Sequence, residues 1–236
     1  YNYTFILSKS SKNMLINPKK IVVIAPHPDD EVLGLGATIS RFTAMNIEVS
    51  ILIVSGHLPP LYNQKSFDIT KIEAEKAFKI MNVSNWEFLE IPATTVHQVP
   101  VAELNSKINN FLKLHNPDWV FIPFPDRHID HRTIFDSSVV SCRPINKNFP
   151  KVVLAYETLS ETHWNVSGIE PTFIPDLFID TSNYMKQKEK ALNCYNSQID
   201  GNQSRSVEAC MALAKFRGSQ NGCDYAEAFK VVRIVI

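Results

Sequence analysis

A rhythm constrains this chain more than any single residue does. Short, continuous apolar runs alternate with longer segments of helical spacing over the first two thirds of its 236 residues. Residues 21–25 (IVVIA) are apolar at every position, which marks a strand buried on both faces. Strands are expected again at 47–54, 86–91 and 119–123 (WVFIP), and helices at 32–45, 69–81, 101–114 and 132–140. Alternation on this scale predicts an α/β fold: a Rossmann-like, doubly wound, mostly parallel sheet with helices on both faces. The last third departs from the rhythm. Strands at 152–155 and 177–179 are joined by a long connection, 156–176, rich in proline and polar residues. Such loops often shape binding sites. Helices at 185–195 and 207–216 and a closing strand at 230–236 complete the reading. No repeat or linker divides the chain, so one domain over 1–236 is expected, with its core from about 20 and an N-terminal extension over 1–19.

Doubly wound sheets bind ligands beyond the carboxyl ends of their strands, where the strand order reverses. In the usual order, 3-2-1-4, the first and fourth strands are neighbours at that reversal. Here the first runs into Pro26-His27-Pro28-Asp29-Asp30-Glu31 and the fourth into Pro125-Asp126-Arg127-His128-Ile129-Asp130-His131. The sheet would bring these segments together although they lie about 100 residues apart. Carboxylates packed so closely repel, and a divalent cation relieves that cost. Two His and one carboxylate form a catalytic zinc set that leaves a position open for water. His27 and Asp30 are three apart, as are His128 and His131, a spacing that in a turn can put side chains on one side. Either cluster alone reads as turn residues or helix caps, and Asp29 or Asp30 alone makes a better cap than a ligand. The metal reading rests on the pairing of the two.

HPDDE after one apolar strand and H-x-D-H after another resemble the PIG-L/LmbE family of metal-dependent de-N-acetylases. Lys190 to Gln198 (KALNCYNSQ) resembles that family's helix ending in Y-x-S-Q, and Tyr225 to Phe229 (YAEAF) its A-E-A-F. The resemblance runs from about residue 20 to the end. One small departure is Pro26, where the family often has Ala. The resemblance implies that His27, Asp30 and His131 are metal ligands and that Asp29 is the general base toward the attacking water. It implies that His128 polarises the scissile carbonyl or stabilises the oxyanion, and that Asp130 orients a neighbouring His. His128 is expected to be protonated for that task, giving a bell-shaped pH dependence. The implied cofactor is Zn2+, with Fe2+, Co2+ or Mn2+ open to the same ligands. The implied substrate is an N-acetylglucosamine-type sugar in a small conjugate or nucleotide sugar. A deacylase of a non-sugar amide and a non-catalytic binding protein of the same fold are the alternatives. Asp29 weighs against the last, because a binding module has no need of a base beside its ligands.

Arg127, Tyr195 and Gln198 are candidate substrate-binding residues. Each has a plainer reading: an ion pair for Arg127, helix packing for the other two. Glu31 is either an anchor for the site or a favourable charge in a first helical turn. Gly34 and Gly36 lack the third glycine of a nucleotide loop, so they read as close backbone packing. His57 follows a strand end and is the His outside the two motifs with most claim to a role. Lys plus Arg and Asp plus Glu are 24 each, which argues against a nucleic-acid or anionic-membrane surface. No run approaches the ~18 apolar residues of a membrane span. Four scattered Cys without a C-x-x-C pair read as reduced thiols, favouring the cytoplasm. The chain begins with Tyr1 rather than Met, so a leader removed from its front would leave no trace here. A homo-oligomer is compatible with everything above.

Overall fold

The computed structural model describes residues 18–145 and 147–235. Its strands are β1 (Lys20–Ala25), β2 (Glu48–Gly56), β3 (Asn85–Pro92), β4 (Trp119–Pro123), β5 (Val152–Tyr156), β6 (Leu177–Asp180) and β7 (Ala226–Ile234). They form a sheet in the order β3-β2-β1-β4-β5-β7-β6. The first five run parallel, and β7 lies antiparallel to both β5 and β6. The order 3-2-1-4 is therefore present, and the reversal falls at the β1/β4 pair, where Val23 is in register with Phe121.

The helices are α1 (Asp30–Ala44), α2 (Gln64–Ile80), α3 (Val101–His115), α4 (Ile129–Ser141), α5 (Leu159–Thr162), α6 (Met185–Leu192), α7 (Asn196–Ile199) and α8 (Val207–Ser219). Alternate residues of β1 feed two cores. Ile21, Val23 and Ala25 pack with residues of α1, α2, α6 and α8, while Val22 and Ile24 pack with α3 and α4. That is why the strand tolerates no polar position. No helix among the described residues is long and apolar enough to cross a membrane.

Several boundaries differ from the sequence reading. α2 begins five residues early because Asn63 caps it, accepting from the Ser66 N–H at 2.9 Å. α4 begins at Ile129, capped by His128, so Asp130 and His131 lie in a helical turn rather than before one. The expected 185–195 helix stops at Leu192, and Tyr195 sits in the turn ahead of α7. The closing strand begins at Ala226, four residues before expected, so the YAEAF segment opens β7; Ile236 lies outside the described residues.

α1 is broken at Leu35, whose φ is −148° and ψ 26°. The break separates the Ala37 and Thr38 N–H groups from their helical acceptors. Both donate instead to the Glu227 carboxylate, at 3.2 and 2.7 Å. Lys188 Nζ donates to the Leu33 carbonyl at 2.8 Å and to Glu227 at 2.6 Å. This buried ion pair thus supplies the hydrogen bonds the kink removes. Gly34 lies just before the break, where a Cβ would fall 2.3 Å from the Tyr156 ring, so the glycine serves close packing against β5. Removing one partner of a buried pair typically costs about 3–5 kcal/mol. Lys188→Ala is therefore expected to lower unfolding stability by that amount in denaturant titration. A loss below about 1 kcal/mol would contradict the pair's role in holding α1.

Candidate metal and catalytic site

The two motif segments meet where β1 and β4 end. Beyond β1 the chain stays tied to β2 through Ser55 N–H to the Pro26 carbonyl, at 2.8 Å. It then turns at Asp29, whose φ is 121°. A non-glycine residue there stores about 1–3 kcal/mol and persists only where its surroundings hold it. Glu31 provides that hold, accepting from Asp29 N–H at 3.1 Å and from the Tyr195 hydroxyl. Glu31 is thus an anchor, and burial pushes its pKa up to about 8. Asp29 occupies the N-cap position of α1, yet its carboxylate makes no capping hydrogen bond. The plain reading of Asp29 as a helix cap is therefore excluded.

His27, Asp30, His128 and His131 come together, and ring nitrogens of the three His lie within 4.8 Å of one another. Asp30 Oδ2 lies 3.2 Å from His27 Nδ1 and 3.3 Å from His131 Nε2. The opposite ring nitrogens are fixed by carboxylates. His27 Nε2 is 3.0 Å from Asp130 Oδ2, and His131 Nδ1 is 3.0 Å from Asp126 Oδ2. Asp130 also accepts from Thr94 N–H at 2.7 Å, and Asp126 from the Thr162 hydroxyl at 3.0 Å. His131 Nε2 is buried without a hydrogen-bond partner. An imidazole nitrogen with no partner, aimed at a carboxylate, beside a second imidazole whose far nitrogen is held by an acid, suits a divalent metal, and His27, His128 and His131 together form a candidate metal group.

The electrostatics agree. Burial alone would depress His27, but hydrogen bonds to Asp130 and Asp30 outweigh it and raise its pKa to about 9. Burial likewise opposes charge on His131, and Asp30 and Asp126 drive its pKa well above the usual value. The cluster thus calls for positive charge between these rings, which a divalent cation would supply in place of the protons. Burial raises Asp29 to about 7, with the Arg205 guanidinium acting against it.

His128 departs from expectation in charge. Its Nδ1 accepts from Asp130 N–H at 3.1 Å, so the remaining proton belongs on Nε2. Burial, and then the charges on His27 and His131, push its pKa down to about 4. With Nδ1 accepting, the ring in this geometry carries its proton on Nε2, where the sequence reading expected a protonated ring.

The candidate substrate residues fare differently. Arg127 is half exposed and pairs with Glu170 of the 156–176 connection at 3.4 Å. Tyr195 is fully buried with its hydroxyl on Glu31, so it supports the Asp29 turn and does not line a pocket. The Gln198 amide donates to Ser197 Oγ at 2.9 Å. The His57 ring packs on Tyr62, with centroids 4.3 Å apart. Sequence reasoning missed three contributors. Asp126 was visible as an acid five residues before His131. The Thr94 N–H and Arg205 carried no signal, since a backbone group has no letter and Arg205 lies 176 positions from its partner Asp29.

Residues 22–140 match the family model PIG-L: GlcNAc-PI de-N-acetylase. A diacetylchitobiose deacetylase of Thermococcus kodakarensis is 27% identical over 228 residues, covering 91% of this chain and 83% of that protein. The structure of N,N'-diacetylchitobiose deacetylase from Pyrococcus horikoshii superposes with a TM-score of 0.75 at 23% identity, over 94% of this chain and 86% of that one. GalB, the 4-carboxy-2-hydroxymuconate hydratase from Pseudomonas putida KT2440, does so with a TM-score of 0.73 at 17% identity, over 92% and 98%. At these identities the superpositions show the fold alone, and a deacetylase and a hydratase share it. The chemistry rests on the family match and the site.

Proposed function

Because the chain belongs to the family described as PIG-L: GlcNAc-PI de-N-acetylase, and is thereby an amide-hydrolysing deacetylase, we propose that it removes the N-acetyl group from an N-acetylglucosamine-type sugar in a small conjugate or nucleotide sugar. The observation that carries this reading is the uncapped Asp29 carboxylate, which interacts electrostatically with Asp30, His27 and His131. Those three would hold one divalent ion, Zn2+ by the donor set. When bound, such an ion polarises the carbonyl and acidifies water.

The chain's own residues then divide the work. Asp29 Oδ2 is held by Arg205, and Oδ1 makes no hydrogen bond among the described residues. Asp29 takes a proton from the water as its oxygen attacks the amide carbon. The carbonyl π electrons move onto oxygen, and His128 Nε2–H donates to that oxyanion. Collapse breaks the C–N bond, and the proton on Asp29 passes to the leaving nitrogen. The second water proton stays on the carboxyl product, so acetic acid, which ionises to acetate, and a free amine result. Asp130 and Asp126 keep the His27 and His131 rings oriented throughout. Arg127, half exposed and paired with Glu170, remains the candidate to meet a polar part of the substrate.

An acetate-release screen across N-acetylated sugars and non-sugar N-acetyl amides tests the substrate class. Turnover confined to non-sugar amides would reject the sugar reading. His128→Ala tests the donor: one such donor is worth about 10²–10³ in kcat, with the low end expected here because the metal shares the load. The variant should keep its metal and leave the shape of the pH profile unchanged, since His128 Nδ1 accepts from Asp130 N–H and the ring donates from Nε2 as a neutral group. Loss of the metal would make His128 a ligand. A lost basic limb would return it to the protonated role.

A further inference from the structure

Arg205 is the one group outside the two motif segments that touches the Asp29 carboxylate among the described residues. It reaches the site from a 3-10 turn, Gln203–Arg205, ahead of α8. Nη1 donates to Asp29 Oδ2 at 2.9 Å, Nε to Ser160 Oγ at 2.9 Å, and Nη2 to Glu161 Oε1 at 3.1 Å. Three faces of one guanidinium are thus spent on two elements. One is the strained turn that opens α1; the other is α5, at the start of the 156–176 connection. α5 is tied to the site a second time, through Thr162 to Asp126 and so to His131. The side chain is only 21% exposed, so its orientation is set by these contacts.

Asp29 needs such a partner. Its backbone is fixed by Glu31 at one end and by α1 at the other. Its carboxylate makes no capping bond, so without an outside contact nothing fixes its side-chain torsions. A guanidinium on Oδ2 selects one rotamer and reserves Oδ1 for the proton. We infer that Arg205 is a positioning residue that fixes the Asp29 carboxylate for proton transfer and couples it to Ser160 and Glu161 of α5. The inference rests on Asp29 acting as the base.

The test uses Arg205→Ala and Arg205→Lys in metal-loaded protein, with an N-acetylated sugar that the unaltered protein cleaves. Misplacing a reacting group by about 1 Å costs on the order of 10²-fold, so kcat of Arg205→Ala should fall by about that factor. KM should stay within about threefold, because no contact with substrate is lost. Metal content should be unchanged. Guanidinium added to Arg205→Ala should restore kcat saturably, and Arg205→Lys should lie between the two. Unchanged kcat would overturn the inference, as would a raised KM with kcat intact. So would a loss regained neither by guanidinium nor by lysine. If Arg205→Ala does not fold, the intermediate kcat and steady KM of Arg205→Lys carry the test. A crystal structure of the folded variant gives a readout free of activity. Asp29 should be rotated or split between conformers, and a single unmoved Asp29 would overturn the inference. A displaced Asp29 in a protein whose unaltered form cleaves no amide would keep the positioning role and reject the proposed function instead.

Discussion

Asp29→Asn is expected to keep its bound metal and lose about 10²–10⁴-fold in kcat, the usual worth of a general base. Asparagine is nearly isosteric and still offers an oxygen to Arg205 Nη1, which sits 2.9 Å from Oδ2. It leaves the turn at φ 121° in place, because Asn tolerates positive φ better than most residues. What it cannot do is accept a proton. Asp30→Ala should do the reverse and lose metal, since Asp30 Oδ2 lies between His27 Nδ1 and His131 Nε2 at 3.2 and 3.3 Å. Elemental analysis with steady-state kinetics reads both variants. Exchanged phenotypes would mean that the two carboxylates have exchanged roles.

His131→Ala is expected to abolish stoichiometric metal binding. The residue is fully buried, its Nε2 has no other partner, and its Nδ1 is clamped by Asp126. Losing a carboxylate that merely orients a ligand typically costs about 10–100-fold in metal affinity, and losing the ligand itself should cost at least that. Asp126→Ala should fall within that range, because Asp126 Oδ2 holds both His131 and Thr162. Competitive chelation would measure both affinities. Metal held by His131→Ala with unaltered affinity would show that His27, Asp30 and His128 suffice without it.

Much of this was legible in the sequence because it depends on pattern. A strand buried on both faces must be apolar throughout, and IVVIA is. The order of the first four strands is the usual one for doubly wound sheets, and it placed His27 and His131 at one sheet reversal from opposite ends of the family segment. The antiparallel β7, pairing with β5 and β6, has no comparable rule behind it. What stayed hidden depends on contacts between distant residues. Arg205 stands in a polar stretch, GNQSRS, with nothing to set it apart from a solvated loop. Tyr195 belongs to a recognisable motif, yet its hydroxyl points to Glu31 and not into a pocket, a direction no spacing encodes. The charge state of His128 is hidden for a similar reason: it follows from the Asp130 N–H donated to Nδ1, a contact set only once α4 begins at Ile129.

The most direct test of the central claim is acetate released from an N-acetylglucosamine-type substrate by protein stripped of metal and then resupplied with one equivalent of Zn2+. Stripped protein should release none, resupplied protein should turn over, and Asp29→Asn loaded to the same level should stay near background. Equal release by stripped and loaded protein, or unaltered turnover by loaded Asp29→Asn, would contradict the account.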